Sequence, residues 1–95
     1  MRYALRVDAN QSQVVSALLA AGAQVDIIGK PVDLLVGKFG RFMLMEVKSL
    51  TGKKKPRAKG YTPAQEVFMA RWAGYPVATV DGPEAALRHL KVLIA

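Results

Sequence analysis

The eight residues Arg41 to Lys48, RFMLMEVK, constrain this chain more than any other segment. Phe42, Met43, Leu44 and Met45 are apolar on both alternating faces, and a strand of that kind belongs inside a sheet that is covered on both sides. It then ends in charge. Side chains alternate along a strand, so Glu46 and Lys48 point to one face and Val47 to the other. Burying an ion pair costs several kcal/mol of desolvation. A strand this apolar that closes on a carboxylate and an ammonium therefore calls for a reason other than stability.

The flanking sequence supplies the elements around that strand. Val14, Val15, Leu18 and Leu19 recur at helical spacing from Gln11 to Ala21, with Asn10 placed to cap the start and Gly22 just past the end. Gln24 to Ile28 reads as a strand, Gly29 to Pro31 as a turn, and Val32 to Val36 as a second strand. Gly37 to Gly40 turns the chain into the central strand. Thr62-Pro63-Ala64-Gln65 combines an N-cap, a proline at the first helical position and a glutamine at the third, which predicts a helix to about Trp72, stopped by Gly74. Tyr75 to Val80 reads as a short strand. Asp81-Gly82-Pro83-Glu84 repeats the capping-box pattern and opens a last helix through Ala85, Leu87, Leu90 and Val92. The predicted order is α-β-β-β-α-β-α, a single α/β domain over residues 1–95 with a central mixed sheet flanked by helices.

Composition narrows the chemistry. The chain has no cysteine and one histidine, which excludes a thiol nucleophile, a cysteine-type zinc site and a histidine cluster. A metal here must be a hard one held by oxygens. No apolar run approaches the roughly 18 to 20 residues that span a bilayer, and the first residues lack the apolar stretch of a signal peptide, so a cytoplasmic location is expected. The net charge of +7, from 14 Lys and Arg against 7 Asp and Glu, makes nucleic acid the first partner to consider. Lys53, Lys54, Lys55, Arg57 and Lys59 fall between Gly52 and Gly60 and are interrupted by Pro56. They read as a basic loop suited to following a phosphate backbone, or equally as a solvated excursion that gains order on binding.

Asp33 stands near the start of the preceding strand, where its carboxylate can come beside Glu46 at a shared sheet edge. Two carboxylates so placed favour a cation between them, and the carbonyl of Val47 can add a third oxygen. Pro31-Val32-Asp33, twelve further residues, and then Glu46-Val47-Lys48 resembles the signature of the PD-(D/E)XK nuclease superfamily. Asp33-Leu34-Leu35-Val36-Gly37, and the passage from Leu50 to Thr62 leading into Gln65, are similar in order and spacing to its virus-type replication-repair nuclease group. Archaeal Holliday junction resolvases resemble it as relatives. The resemblance implies a restriction-endonuclease-like core and a Mg²⁺-dependent endonuclease cutting DNA, with Mn²⁺ able to substitute, in a phage or bacterial setting. It implies metal-binding carboxylates at Asp33 and Glu46, a lysine near the attacking water at Lys48, and a supporting glutamine at Gln65.

Two departures stand out. Val32 separates the usually adjacent proline and aspartate, and the first helix offers Gln11 and Gln13 where the family often has a glutamate, with Asp8 as a nearby substitute. For Gln65 a capping role alone would account for the residue. Phe68, Met69 and Trp72 are expected in the core rather than as a base-stacking platform, and His89 on the surface. Arg2, Arg6 and Arg41 can add to a binding face. The leading expectation is a nuclease selecting DNA structure, at junctions, flaps or nicks, since the chain is too small for extended base readout. The alternatives are a non-catalytic DNA-binding module on a decayed nuclease scaffold, or a nuclease subunit whose recognition comes from a partner protein. A homodimer paired through the last helix or the strand beside it is expected, because one small protomer carries one site and has apolar residues to spare.

Overall fold

The computed structural model describes residues 9–48 and 61–95. The predicted basic run of Lys53, Lys54, Lys55, Arg57 and Lys59 lies outside the described residues, as do Asp8, Arg2 and Arg6. The elements are α1 (Ala9–Ala20), β1 (Gln24–Ile27), β2 (Leu34–Lys38), β3 (Arg41–Val47), α2 (Pro63–Arg71), β4 (Val77–Val80) and α3 (Pro83–Ile94). This is the expected order, and the sheet is mixed: β1-β2-β3-β4, with antiparallel pairing up to β3 and parallel pairing between β3 and β4. The crossover that a parallel pair requires is the passage through α2. β3 is an inner strand, as its composition demanded.

One face of the sheet forms the core. Leu34 and Val36 from β2, Met43 and Met45 from β3, and Ala78 and Val80 from β4 all point to it. Val14 and Leu18 of α1 close it from one side and Ala86 and Leu90 of α3 from the other, each pair four residues apart on its helix. Burying a side chain such as that of Met45, which is fully covered, contributes about 1.5–3 kcal/mol. The end of α1 is fixed by Gly22 at φ 89°, with Ala23 N–H donating to Leu18 and Gly22 N–H to Leu19. That is a Schellman closure.

The other face carries Leu35, Leu44 and Val77 in one row, and Glu46 and Thr79 in the next. Only the nine-residue α2 lies toward it, and no residue of α2 is buried. Phe68, Met69 and Trp72 are therefore not core, contrary to expectation. Phe68 stacks on Trp72 at 5.9 Å and Trp72 meets the edge of Tyr75 at 4.7 Å, forming a half-exposed aromatic cluster. Phe42 remains 65% exposed, so the apolar pattern of β3 is satisfied on the core face and left partly open on the other.

Several local expectations shift by a residue or two for identifiable reasons. β2 runs Leu34–Lys38 rather than Val32–Val36, because Gly37 and Lys38 stay in the ladder with β3 and only Phe39 and Gly40 make the turn. Asn10 lies inside α1 rather than capping it, and its amide donates instead to the carbonyl of Asp81, tying α1 to the loop after β4. Gly82, not Asp81, is the N-cap of α3, so Glu84 sits at the second helical position and no side chain caps that end. β4 starts at Val77 rather than Tyr75, because Pro76 has no N–H to give and joins the ladder only through its carbonyl, which accepts from Leu44 at 3.0 Å.

Candidate active site

Asp33 precedes β2 and continues its register. Leu34 pairs with Met45, so Asp33 falls opposite Glu46 on the face toward α2. Its backbone is anchored by Ile28 and Gly29, whose N–H groups donate to the Asp33 carbonyl at 2.9 and 3.2 Å. Val32, the extra residue after the proline, is fully buried and so fixes the turn from below. The Asp33 side chain is held as well: its Oδ2 accepts from the N–H of Val47 at 2.8 Å. In an extended strand the N–H and C=O of one residue project to the same side. The Val47 carbonyl therefore opens toward Asp33.

Glu46 is 3% exposed, an unusual place for a carboxylate. Its Oε2 accepts from Lys48 Nζ at 3.1 Å and from Gln65 Nε2 at 2.8 Å. Its Oε1 is buried with no hydrogen-bond partner among the described residues. Burial, and then the charge of Asp33, push the Glu46 carboxyl above the ordinary carboxylate range, against the opposing pull of Lys48 and Gln65. The pocket therefore disfavours the ionised form of Glu46, and a further positive charge beside it would offset that.

Gln65 links the site to the fold. Thr62 accepts from the Gln65 N–H while Gln65 Oε1 accepts from the Thr62 N–H, both at 3.2 Å, so the predicted capping box is formed. The same Oε1 accepts from Lys48 Nζ at 3.3 Å. Capping and site roles thus fall to one side chain, and the start of α2 is held against Glu46. Next to it, the hydroxyls of Tyr61 and Thr79 are hydrogen-bonded, Thr79 being the β4 partner of Glu46.

The structure brings together Asp33, Glu46, Val47, Lys48 and Gln65, and leaves other candidates elsewhere. Arg41 is turned away, its guanidinium donating to the carbonyls of Leu93 and Ala95. On α1, Gln11 is buried and Gln13 exposed. Sequence reasoning missed the neighbourhood of Lys48 on its other side: Thr79, Asp81, Arg88 and His89 share a cleft with it. The signal was the parallel pairing of β3 with β4, which sets the loop after Val80 beside the end of β3.

No family model, no curated protein and no solved structure matches this chain. What the site can do rests on its own geometry. Two opposed carboxylates, one with an unpartnered buried oxygen, together with the Val47 carbonyl, make an all-oxygen donor set. Among the described residues no group of three or more His, Cys, Asp or Glu side chains is placed to hold a metal ion. A cation here would therefore have two carboxylates and keep part of its water shell, which suits Mg²⁺ better than a fully dehydrated ion.

Proposed function

We propose that this protein is a Mg²⁺-dependent endodeoxyribonuclease of the PD-(D/E)XK type that hydrolyses a phosphodiester bond at a structural feature of DNA: a junction, flap or nick. The observation that carries the reading is the opposed pair itself, with Asp33 locked by the Val47 amide against a buried Glu46 whose Oε1 has no partner among the described residues. Asp33, Glu46 and the Val47 carbonyl would hold the cation. When bound, it supplies Lewis-acid polarisation of a phosphoryl oxygen and an acidified water.

The chain's own groups do the rest. Lys48 gives one N–H to Glu46 and one to Gln65, and its ammonium has three. The remaining donor orients the attacking water and offsets negative charge as it gathers on the phosphoryl oxygens. Gln65 accepts from Lys48 and donates to Glu46, so it fixes the two members of the ion pair relative to each other. Burial of Glu46 excludes bulk water from the carboxylate side of the site. Mn²⁺ is expected to substitute, since it takes the same oxygen donors.

A cleavage screen over single-stranded, duplex, flap and four-way-junction DNA with Mg²⁺ or Mn²⁺ tests the proposal. Cleavage by the wild type, and its loss in Lys48→Ala, is the expected result; no cleavage of any substrate with either metal would sink it. One observation favours a second reading, a DNA-binding module without catalysis: α1 has no acidic residue in its first turn, so the acidic set is spare. That reading expects DNA binding with no cleavage and no thermal stabilisation by Mg²⁺.

A further inference from the structure

Lys48 borders two spaces. On one side its Nζ meets Glu46 and Gln65; on the other it lines a cleft of about 280 Å³ with Thr79, Asp81, Arg88 and His89. Arg88 and His89 are consecutive on α3 and exposed. Among the described residues neither has a hydrogen-bond or ion-pair partner. Their positions are nonetheless fixed from behind. Ala85, one turn earlier on the same face, is buried at the floor of the cleft, Ala86 and Leu90 bury α3 in the core, and Asn10 holds the Asp81 backbone from α1.

The charges in the cleft define what it takes. Lys48 and Arg88 are permanent cations, Asp81 is a carboxylate, and His89 adds two ring nitrogens that donate or accept. Lys48 is already paired with Glu46, so the groups left to meet an incoming anion are the Arg88 guanidinium and the His89 ring, beside the Asp81 carboxylate. That limited positive charge suits a singly charged phosphodiester better than a dianionic terminal phosphate. Arg88 can present a planar pair of donors to such a group. The cleft is contiguous with the proposed catalytic row, because Thr79 is the cross-strand partner of Glu46 and Lys48 belongs to both.

We propose that this cleft seats the phosphodiester adjoining the scissile one, with Arg88 and His89 as its donors. The assignment rests on the nuclease reading of Asp33, Glu46 and Lys48. It adds a direction: the cut strand leaves Glu46, passes Thr79 and runs out over the middle of α3. Arg88 and His89 are positioning residues, touching a phosphate that does not react.

His89 is the chain's one histidine, so its imidazole resonances report this cleft without assignment. The experiment titrates the full chain, in EDTA, with octathymidylate and with a methylphosphonate-linked octathymidine that has a neutral backbone. A saturable shift of the imidazole signals with the charged strand, and none with the neutral one, is the expected result. Arg88→Gln should weaken octathymidylate binding about tenfold and lower the slope of log K against log salt by roughly 0.7. In a cleavage assay, Arg88→Gln and His89→Gln should raise KM with kcat little changed, since the contact is the same in ground and transition state. A strand that binds by fluorescence anisotropy while the imidazole stays unmoved would overturn the inference. So would wild-type affinity in Arg88→Gln, or no binding of the strand at all. The NMR and binding measurements need neither metal nor cleavage, so their failure is separable from failure of the nuclease reading, which the cleavage screen judges.

Discussion

The N–H of Val47 donates to Oδ2 of Asp33 at 2.8 Å, so the backbone of β3 holds the carboxylate that faces its own Glu46. The strand that carries one carboxylate positions the other. Asparagine can accept the same hydrogen bond through its carbonyl oxygen, whereas alanine cannot. Asp33→Asn should therefore keep the thermal stability of the wild type and abolish cleavage, while Asp33→Ala should lose both activity and stability, the latter by about 1–3 kcal/mol. Melting curves and cleavage assays on the two variants check this. Cleavage by Asp33→Asn near the wild-type rate would remove Asp33 from the site.

Glu46 carries the second prediction. Its carboxyl is raised chiefly by burial and then by Asp33, so without metal the folded chain binds more protons than the unfolded one between the ordinary carboxylate value and the raised one. Stability then falls as pH rises through that window. Glu46→Gln removes the effect, and should melt higher than the wild type at neutral pH in EDTA while showing no cleavage. Mg²⁺ should raise the melting temperature of the wild type and leave Glu46→Gln unmoved, because only a folded site with its charge binds the ion. For the wild type, the cleavage rate should climb with pH through the raised value. A Glu46→Gln variant that melts below the wild type in EDTA would contradict this account.

The order of elements and the Asp33, Glu46 and Lys48 face were legible because both depend on short-range rules: alternation along β3, turn residues between strands, and the capping box at Thr62. Long-range consequences were not. The aromatic residues of α2 have the spacing of a core helix, but nothing in that spacing says that the sheet face beside them is left half open. Asn10 has the chemistry of a cap, yet its partner lies 71 residues away at Asp81. The Lys48 cleft needs the β3–β4 pairing, which local patterning does not specify.

Gln65 allows capping and site roles to be separated. Glutamate serves as well as glutamine at the third position of a capping box, so Gln65→Glu should preserve α2 by circular dichroism. It removes the Nε2 donor to Glu46 and places a carboxylate against it. The expected outcome is an intact helix with cleavage reduced at neutral pH and its pH profile moved upward, since a second negative charge further disfavours ionised Glu46. An unchanged profile would assign Gln65 to capping alone.

A stability prediction concerns the turn between β2 and β3. Lys38 pairs with Arg41, leaving Phe39 and Gly40 as a two-residue loop with φ of 55° and 77°. Both positive values are those of a type I′ turn, which favours Asn-Gly. Phe39 pays about 1–3 kcal/mol for that conformation. It recovers roughly 0.5–1 kcal/mol from the Lys38 ammonium 4.9 Å above its ring. The strain is the larger effect, so Phe39→Asn should raise the melting temperature by a few degrees. A lower melting temperature would show that the ring contact outweighs it.

The last prediction concerns assembly. One protomer presents a single pair of opposed carboxylates, so under the proposed function it would cut one strand per encounter, whereas a junction or a duplex offers two. Pairing about a two-fold axis places two such sites on one substrate. The face expected to pair is on α3, where Val92 is 76% exposed. Isolated exposed valines are ordinary, and it is the need for a second site that gives this one weight. Sedimentation equilibrium at micromolar protein should return twice the 10.3 kDa of one chain. Val92→Glu, a change at a position the protomer does not bury, should return the mass of a single chain with an unaltered melting curve at low concentration. Under the same conditions Val92→Glu should still nick DNA but no longer cut both strands of a four-way junction in one binding event. A wild-type mass near one chain at every concentration would remove the dimer and leave a nickase.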